Sequence, residues 1–453
     1  MSTRVILKPG EKVRVVIADD SRLIYSDDYR DGWRDGFESI GCDVSVVNIT
    51  PLKGLARISN SSTIVSMRSY HPKSLGKTIA RMHPHIVLFH HGRMGSVDAF
   101  LAEIRKGGGR TAVYLCDEPY ETGETACYSP KYDYVFTMDP CTMEVHRLSR
   151  QNRRNVFYLP PAANVRRFQY KPYFKDGRLI RGTPAFFLGN ATLIPRDKWL
   201  RPIHRTVDRA DIRFWRPTGK GHKDWIPLEA HAHHYSNCVV GLNVHRAPWM
   251  DKKCYLTRVK RRPRGIATPP AGLQIHTGSP KQGWGTGFWN EGNLPAAHWN
   301  PRFIEMGACG TLVVSDNHRT EMQREFPYVP QAEDPAHFLE LVDYYIRHPG
   351  RAEEIGKACS RHILARHTYP HRAAEILIRM GFEASLPASV VSCLGRPQDW
   401  LTPQDFELLT AKSFSGQTGL SERWTPPSGS SSIRTCISQS ATDSTEPPTP
   451  WLL

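Results

Sequence analysis

The stretch NPRFIEMGACGTLVVSD, residues 300–316, reads as a short helix that ends tightly and passes straight into a buried strand. Asn300 and Pro301 are the favoured cap and first-turn residues. Arg302 and Glu305 stand three apart on one helical face. Ala308-Cys309-Gly310 permits a tight stop, and TLVVS (311–315) is an apolar, β-branched run. A helix N-terminus beside an arginine attracts a diphosphate, because its orphan N–H groups and its dipole both favour anions. A glutamate one turn further along has the reach to accept hydrogen bonds from the vicinal hydroxyls of a ribose.

Outward from this segment the chain alternates strand and helix. Upstream in the same half, strands are predicted at 184–188 (PAFFL), 211–215 (DIRFW) and 238–244 (CVVGLNV), with helices at 196–207, 300–308, 334–347 and 350–367. The first half repeats the theme, with VRVVIA at 13–18, DVSVVNI at 43–49, and further apolar runs at 85–90, 112–116, 133–137 and 155–159. A helix capped by Ser26, Asp27 or Asp28 runs to Ile40 and ends at Gly41. Strands alternating with helices make an α/β protein of two Rossmann-like domains, expected at 1–165 and 178–370. Terminal helices follow over 371–411. Two segments break the alternation. A long insertion spans 246–299, and the Ser/Thr/Pro-rich segment 412–453 has too few apolar residues to offset its ordering entropy, which predicts a disordered tail.

Composition narrows the function. The 453 residues carry 60 Lys+Arg against 44 Asp+Glu, a net charge of +16. That charge is local: +9 over 1–195, +11 over 196–264 and −4 over the remainder. Such concentration predicts an anionic partner for the middle of the chain. The insertion opens with RAPWMDKKCYLTRVKRRPRG (246–265), eight basic residues against one acid. Within it Lys252, Lys253, Arg258, Lys260, Arg261, Arg262 and Arg264 are candidates to neutralise phosphates, and Trp284 and Trp289 to stack on bases or sugar rings. A solvated loop closing over a donor diphosphate explains the same residues. Ten scattered cysteines without a C-x-x-C pair predict reduced thiols in a cytoplasmic protein. No apolar run is long enough for a membrane span, and the first residues read as a strand rather than a signal peptide. P-loop, H-E-x-x-H and G-x-S-x-G motifs are absent.

Further candidates sit where strands end. In FFLGN (186–190), Gly189 and Asn190 precede a helix bearing Arg196; glycine there lets the backbone approach phosphate, although an ordinary βα turn reads the same way. Asn243 closes CVVGLN. In AVYLCDEP (112–119), Asp117 and Glu118 follow a strand, and a carboxylate there suits a general base or a helix cap equally. His90 and His91 end IVLFHH, and alternation along a strand turns one of them toward the cleft. Asp19 and Asp20 end the first strand, as caps or acceptor contacts. The HAHH run (His231, His233, His234) lacks a Cys or carboxylate partner and is expected on a helix surface, so no metal site is expected.

The 300–316 segment and the run DPAHFLELVDYYIRHPGRAEEIGKACSRHILARHTYPHRAAEIL that follows it, closing in His367 to Arg372, resemble the spore-maturation CgeB-type glycosyltransferases of the GT-B group. The likeness covers about 184–245 and 300–380 well, and the first half more loosely. It implies two facing domains, with the final helices crossing back onto the first. It also implies a nucleotide-diphosphate sugar as donor, most simply a UDP-sugar, with no permanent cofactor and no metal requirement. Glu305 would contact the donor ribose, while Arg196, Arg302, Gly189, Asn190 and Asn243 would line the donor site. Asp117 would act on the acceptor, with His91 the other candidate base. Related enzymes often carry a second Glu eight residues before Glu305, where this chain has Ala297. The resemblance leaves open whether configuration is retained or inverted. The acceptor expected is a surface glycan, a structural protein or a hydroxylated DNA base. A degenerate domain that only binds nucleic acid or sugar is the alternative.

Overall fold

A computed structural model describes residues 5, 7–19, 26–49, 56–60, 63–67, 72–91, 97–120, 122–149, 153–169, 174–175, 178–179, 181–190, 196–215, 226–245, 294, 296–316 and 319–386. The chain divides into two units, Met1–Leu401 and Thr402–Leu453, and every described residue lies in the first. Lys252, Lys253, Arg258, Lys260, Arg261, Arg262, Arg264, Trp284 and Trp289 lie outside the described residues, as do Asp20 and the 412–453 tail.

The first sheet has eight strands: β1 (Arg14–Asp19), β2 (Asp43–Asn48), β3 (Ala56–Asn60), β4 (Thr63–Met67), β5 (Ile86–His90), β6 (Arg110–Leu115), β7 (Tyr134–Thr137) and β8 (Val156–Tyr158). Their order is β4-β3-β2-β1-β5-β6-β7-β8. Six of them run parallel, while β3 pairs antiparallel with both β2 and β4. Helices α1 (Ser26–Ser39), α2 (Pro72–Arg81), α3 (Val97–Lys106), α4 (Thr122–Tyr128) and α5 (Met143–Leu148) connect them. After Arg14 at its edge, β1 is apolar over Val15–Ala18 because both faces of the strand are covered. Val13, Val15 and Ile17 pack with Trp33 and Phe37, whereas Val16 and Ala18 pack with Leu75, Ile79 and Phe100. The β3–β4 pair, in register from Ala56 opposite Met67 to Asn60 opposite Thr63, was not foreseen.

After a two-stranded pair, β9 (Phe174–Lys175) and β10 (Arg178–Leu179), a second sheet begins. Its strands β11 (Thr183–Asn190), β12 (Asp211–Trp215), β13 (Cys238–Asn243), β14 (Leu312–Asp316) and β15 (Gln331–Ala332) are all parallel, in the order β12-β11-β13-β14-β15. The helices are α6 (Arg196–Thr206), α7 (Leu228–Ser236), α8 (Pro301–Ala308), α9 (Thr320–Glu325), α10 (Pro335–Arg347), α11 (Pro349–Arg366) and α12 (Tyr369–Arg379). The fold is thus α/β with two Rossmann-like sheets. No described helix is long and apolar enough to cross a membrane.

The last helix belongs to the first sheet's core. Tyr369, Ala373, Ile376, Leu377 and Met380 are buried with Val15, Trp33, Phe37 and Tyr114, and Tyr369 meets Trp33 edge-on at 5.1 Å between ring centres. Where the chain crosses back, Ala163 bridges Thr368, and Ala163 N–H donates to the His367 carbonyl at 2.8 Å. Arg372 locks this crossing. Its buried guanidinium donates to the carbonyls of Pro160 (2.8 Å), Pro161 (3.4 Å) and Arg366 (3.2 Å), and to His367 Nδ1 at 2.8 Å. His367 Nε2 in turn meets Glu325 at 3.1 Å. The H-T-Y-x-x-R run therefore ties the crossing segment to the chain at Pro160–Ala163.

In each sheet the strand order reverses beside the first strand, between β1 and β5 and between β11 and β13. Ligands of open parallel sheets bind at such switch points, beyond the carboxyl ends of the strands.

Candidate functional site

At the switch point of the second sheet, Asn300 caps α8 by accepting from Phe303 N–H at 3.0 Å. The helix ends at Cys309, and Gly310 takes the left-handed backbone (φ 73°) that the stop needs. Arg302, in the first turn, lies with its guanidinium 4.8 Å from the centre of the Phe187 ring. It packs against Gly189 so closely that a Cβ on Gly189 would sit 2.5 Å from Arg302 Nη2. Glycine is thus needed there for side-chain room rather than for backbone freedom. Arg302 Nη1 is buried and has no hydrogen-bond partner among the described residues. A buried guanidinium N–H left unpaired costs free energy, and an anion at the helix N-terminus would satisfy it.

Asn243 fixes the cap. Its Oδ1 accepts from Asn300 Nδ2 at 2.8 Å, and its Nδ2 donates to Ser315 Oγ at 2.9 Å. Behind it, Asp316 accepts from the His245 backbone N–H at 3.1 Å and is bonded to the His245 ring through Nδ1. Burial holds the imidazole neutral, its pKa down to about 4 even with Asp316 beside it. The sequence reading missed this pair, although both residues stand at the ends of apolar strands. Arg196 is placed differently from expectation. It is buried, its Nε donates to the Val244 carbonyl at 2.9 Å, and it braces the end of β13. The side chain of Asn190 lies outside the described residues.

Glu305 sits one turn beyond Arg302, half-buried, and accepts from the Tyr235 hydroxyl at 3.1 Å. Burial pushes its pKa up to about 8, with the nearby Asp28 carboxylate adding to the rise and Arg302 opposing it. Asp28, on α1, is itself raised to about 6 by burial, against the pull of its ion pair with Arg167. A residue of the first sheet's α1 therefore faces the α8 site electrostatically, which no local pattern revealed. His231 corrects another expectation. It is buried, with Nε2 3.1 Å from the Ile226 carbonyl, because α7 turns that face toward the core.

At the switch point of the first sheet, His91 follows β5 and Asp117 follows β6. His91 Nε2 lies 2.8 Å from Asp117 Oδ2; the imidazole side chain is 1 % exposed and the carboxylate 43 %. His91 adopts φ 70°, strained for a residue with a Cβ, and the Tyr128 hydroxyl holds its carbonyl at 2.6 Å. Thus the histidine is the support and the aspartate the exposed group. Glu118, its neighbour, is fully buried, accepting from Thr122 and Thr125 and facing His146 Nε2 at 3.3 Å. Both Glu118 oxygens are thus taken up inside the fold.

Further contacts join the two sheets. Asp139, after β7, accepts from Ala297 N–H at 2.8 Å and from His298 Nδ1 at 2.8 Å. Its burial would raise its pKa, but the His298 hydrogen bond and charge outweigh that and hold it below the usual range. The Ala297 position is therefore occupied by a backbone anchor. Arg319 adds a second tie, donating to the Tyr120 hydroxyl at 2.7 Å.

Comparison with known proteins places residues 289–378, from just before α8 through most of α12, within the family model described as glycosyl transferase-like. A search of curated proteins finds no match. Among solved structures, a sucrose-phosphate synthase from Thermosynechococcus elongatus is 13 % identical over 83 % of this chain and all of its own, with a TM-score of 0.48. The avilamycin A glycosyltransferase AviGT4 is 9 % identical over 81 % of this chain and 97 % of its own (TM-score 0.43). Anabaena HepE, solved with UDP and glucose, is 10 % identical over 81 % of this chain and 98 % of its own (TM-score 0.39).

Proposed function

We propose that the chain is a glycosyltransferase that moves a sugar from a nucleotide-diphosphate donor, a UDP-sugar in the first instance, to an acceptor hydroxyl. The observation that carries this reading is Arg302. Its buried Nη1 lacks a partner among the described residues, beside the N-terminus of a helix that falls inside the glycosyl transferase-like match. In this reading the α8 N-terminus and Arg302 bind the donor diphosphate, and Glu305 accepts from the ribose hydroxyls. Gly189 makes room for Arg302, Asn243 orients the cap, and Arg196 acts as a brace.

The acceptor binds beyond β5 and β6. Its oxygen attacks the anomeric carbon, the bond from that carbon to the diphosphate breaks, and the leaving group keeps the electron pair. Charge growing on the diphosphate is met by preorganised donors, an effect worth several kcal/mol. In an inverting reaction Asp117 takes the hydroxyl proton and His91 is its positioning residue; a retaining reaction needs no such base. The donor half requires no metal in this scheme. A surface glycan, a structural protein and a hydroxylated DNA base are the acceptor classes to test, the last resting on the basic insertion alone.

Nucleotide-diphosphate release from a panel of donors, measured for wild type and Glu305→Ala, tests the reading. The variant should lose donor affinity and turnover. Equal affinity and activity in both proteins would remove Glu305 from the site. Saturable donor binding without turnover on any acceptor class would favour a binding module instead.

A further inference from the structure

We propose that His91, Cys116 and Asp117 form a binding site for a divalent transition-metal ion of the zinc type. Their candidate ligand atoms, an imidazole nitrogen, a thiol sulfur and a carboxylate oxygen, all lie within 4.8 Å of one another. The three residues leave adjacent parallel strands at the cleft end of the first sheet, His91 after β5, and Cys116 and Asp117 in the turn after β6. Tetrahedral zinc bonds of about 2.0–2.3 Å set ligand atoms roughly 3.3–3.8 Å apart, so a closure of about 1 Å assembles the set. Mixed imidazole, thiolate and carboxylate donors suit zinc and exclude the all-oxygen preference of magnesium or calcium.

The burial pattern fits an open site. His91 and Cys116 are buried, while Asp117 is exposed enough to face solvent. Three protein ligands and one solvent-facing position are the arrangement of reactive rather than structural zinc. Binding requires neutral His91 to present a bare Nε2, with its single proton on Nδ1, and the Cys116 thiol to release its proton to solvent. If the chain transfers sugar as proposed above, an ion held by these three residues would lie beside the acceptor hydroxyl and could polarise it.

The other cluster of suitable residues, Glu325, His362 and His367, fails the same examination. Arg372 donates to His367 Nδ1, which forces the proton onto Nε2, the atom that faces Glu325. Arg366 already pairs with Glu325 at 3.3 Å. Two arginines and a protonated nitrogen leave no room for a cation there.

Cobalt(II) titration of the full chain tests the site without any sugar donor, so its outcome is independent of the transferase reading. One ion per chain is expected to bind saturably, with a thiolate-to-cobalt charge-transfer absorption that zinc displaces. Cys116→Ser should abolish that absorption, whereas Cys359→Ser, a buried thiol elsewhere, should keep it. Asp117→Asn, at the exposed ligand and so safe for folding, should weaken binding at least tenfold. Absence of saturable binding, or absorption and affinity unchanged in Cys116→Ser and Asp117→Asn, overturns the proposal.

Discussion

Replacing Gly189 by alanine adds a single methyl group that would lie 2.5 Å from Arg302 Nη2, 3.1 Å from its Cζ and 2.8 Å from Phe187 Cζ. Ordinary contact requires about 3.4 Å or more, so the guanidinium must retreat by nearly 1 Å. The strand has little freedom to yield, since Gly189 pairs in register with Phe214 of β12. Arg302 is the flexible partner, and it moves away from the helix N-terminus it serves. A charge-assisted hydrogen bond to a diphosphate is worth about 1.5–3 kcal/mol, or roughly 10- to 150-fold in affinity. Gly189→Ala is therefore expected to weaken nucleoside diphosphate binding by that factor, with a separate overpacking loss of about 1–3 kcal/mol in unfolding stability. Calorimetric titration with UDP and urea unfolding measure the two quantities. The decisive comparison is a double-mutant cycle with Arg302→Ala. If Gly189 acts through Arg302, the second substitution should add little to the first. Wild-type affinity in Gly189→Ala, or full additivity in the cycle, would refute the reasoning.

Two other perturbations report on separate parts of the molecule. In the free protein Glu305 holds its proton up to about pH 8, so a ribose contact that needs the carboxylate must expel that proton at lower pH. Donor affinity should then rise by up to about tenfold per pH unit between pH 6 and 8 and level above, whereas Glu305→Gln should be flat across the same range in titration calorimetry. Arg372→Ala strands the buried carbonyls of Pro160, Pro161 and Arg366 and the Nδ1 of His367. A loss of about 3–5 kcal/mol is expected in denaturant unfolding, with most of it retained as loss in Arg372→Lys, which cannot reproduce the fork.

The alternation of strand and helix was legible because parallel strands buried on both faces read as apolar runs, as Ile86–Phe89 of β5 does. Helix α8 was legible to the residue, since Asn300, Pro301 and Gly310 each satisfy a local backbone requirement. What local pattern could not carry was the pairing of residues far apart in the chain. Asp316 and His245 are 71 positions apart and Asp139 and His298 are 159 apart, and no partner carries a local signal of the other. The roles of His91 and Asp117 were left interchangeable by sequence, because relative exposure follows from the turn geometry around φ 70° at His91 rather than from residue type. Glu118 beside Asp117 makes the same point, as adjacent acids went to opposite environments. The surface placement expected for His231 failed because Ile226 and Tyr235 draw that face of α7 into the core.

The return of α12 to the first sheet has a consequence for how the chain is made. Trp33, Phe37 and Tyr114 are synthesised some 250 residues or more before the Tyr369, Ile376 and Leu377 that bury them. During translation the N-terminal half must wait with one apolar face uncovered until the last helix clears the ribosome. Until then that uncovered apolar face is the kind of surface that promotes aggregation of partly made chains. A stop codon just before Tyr369 would remove few residues from the second sheet, yet leave the first one unfinished.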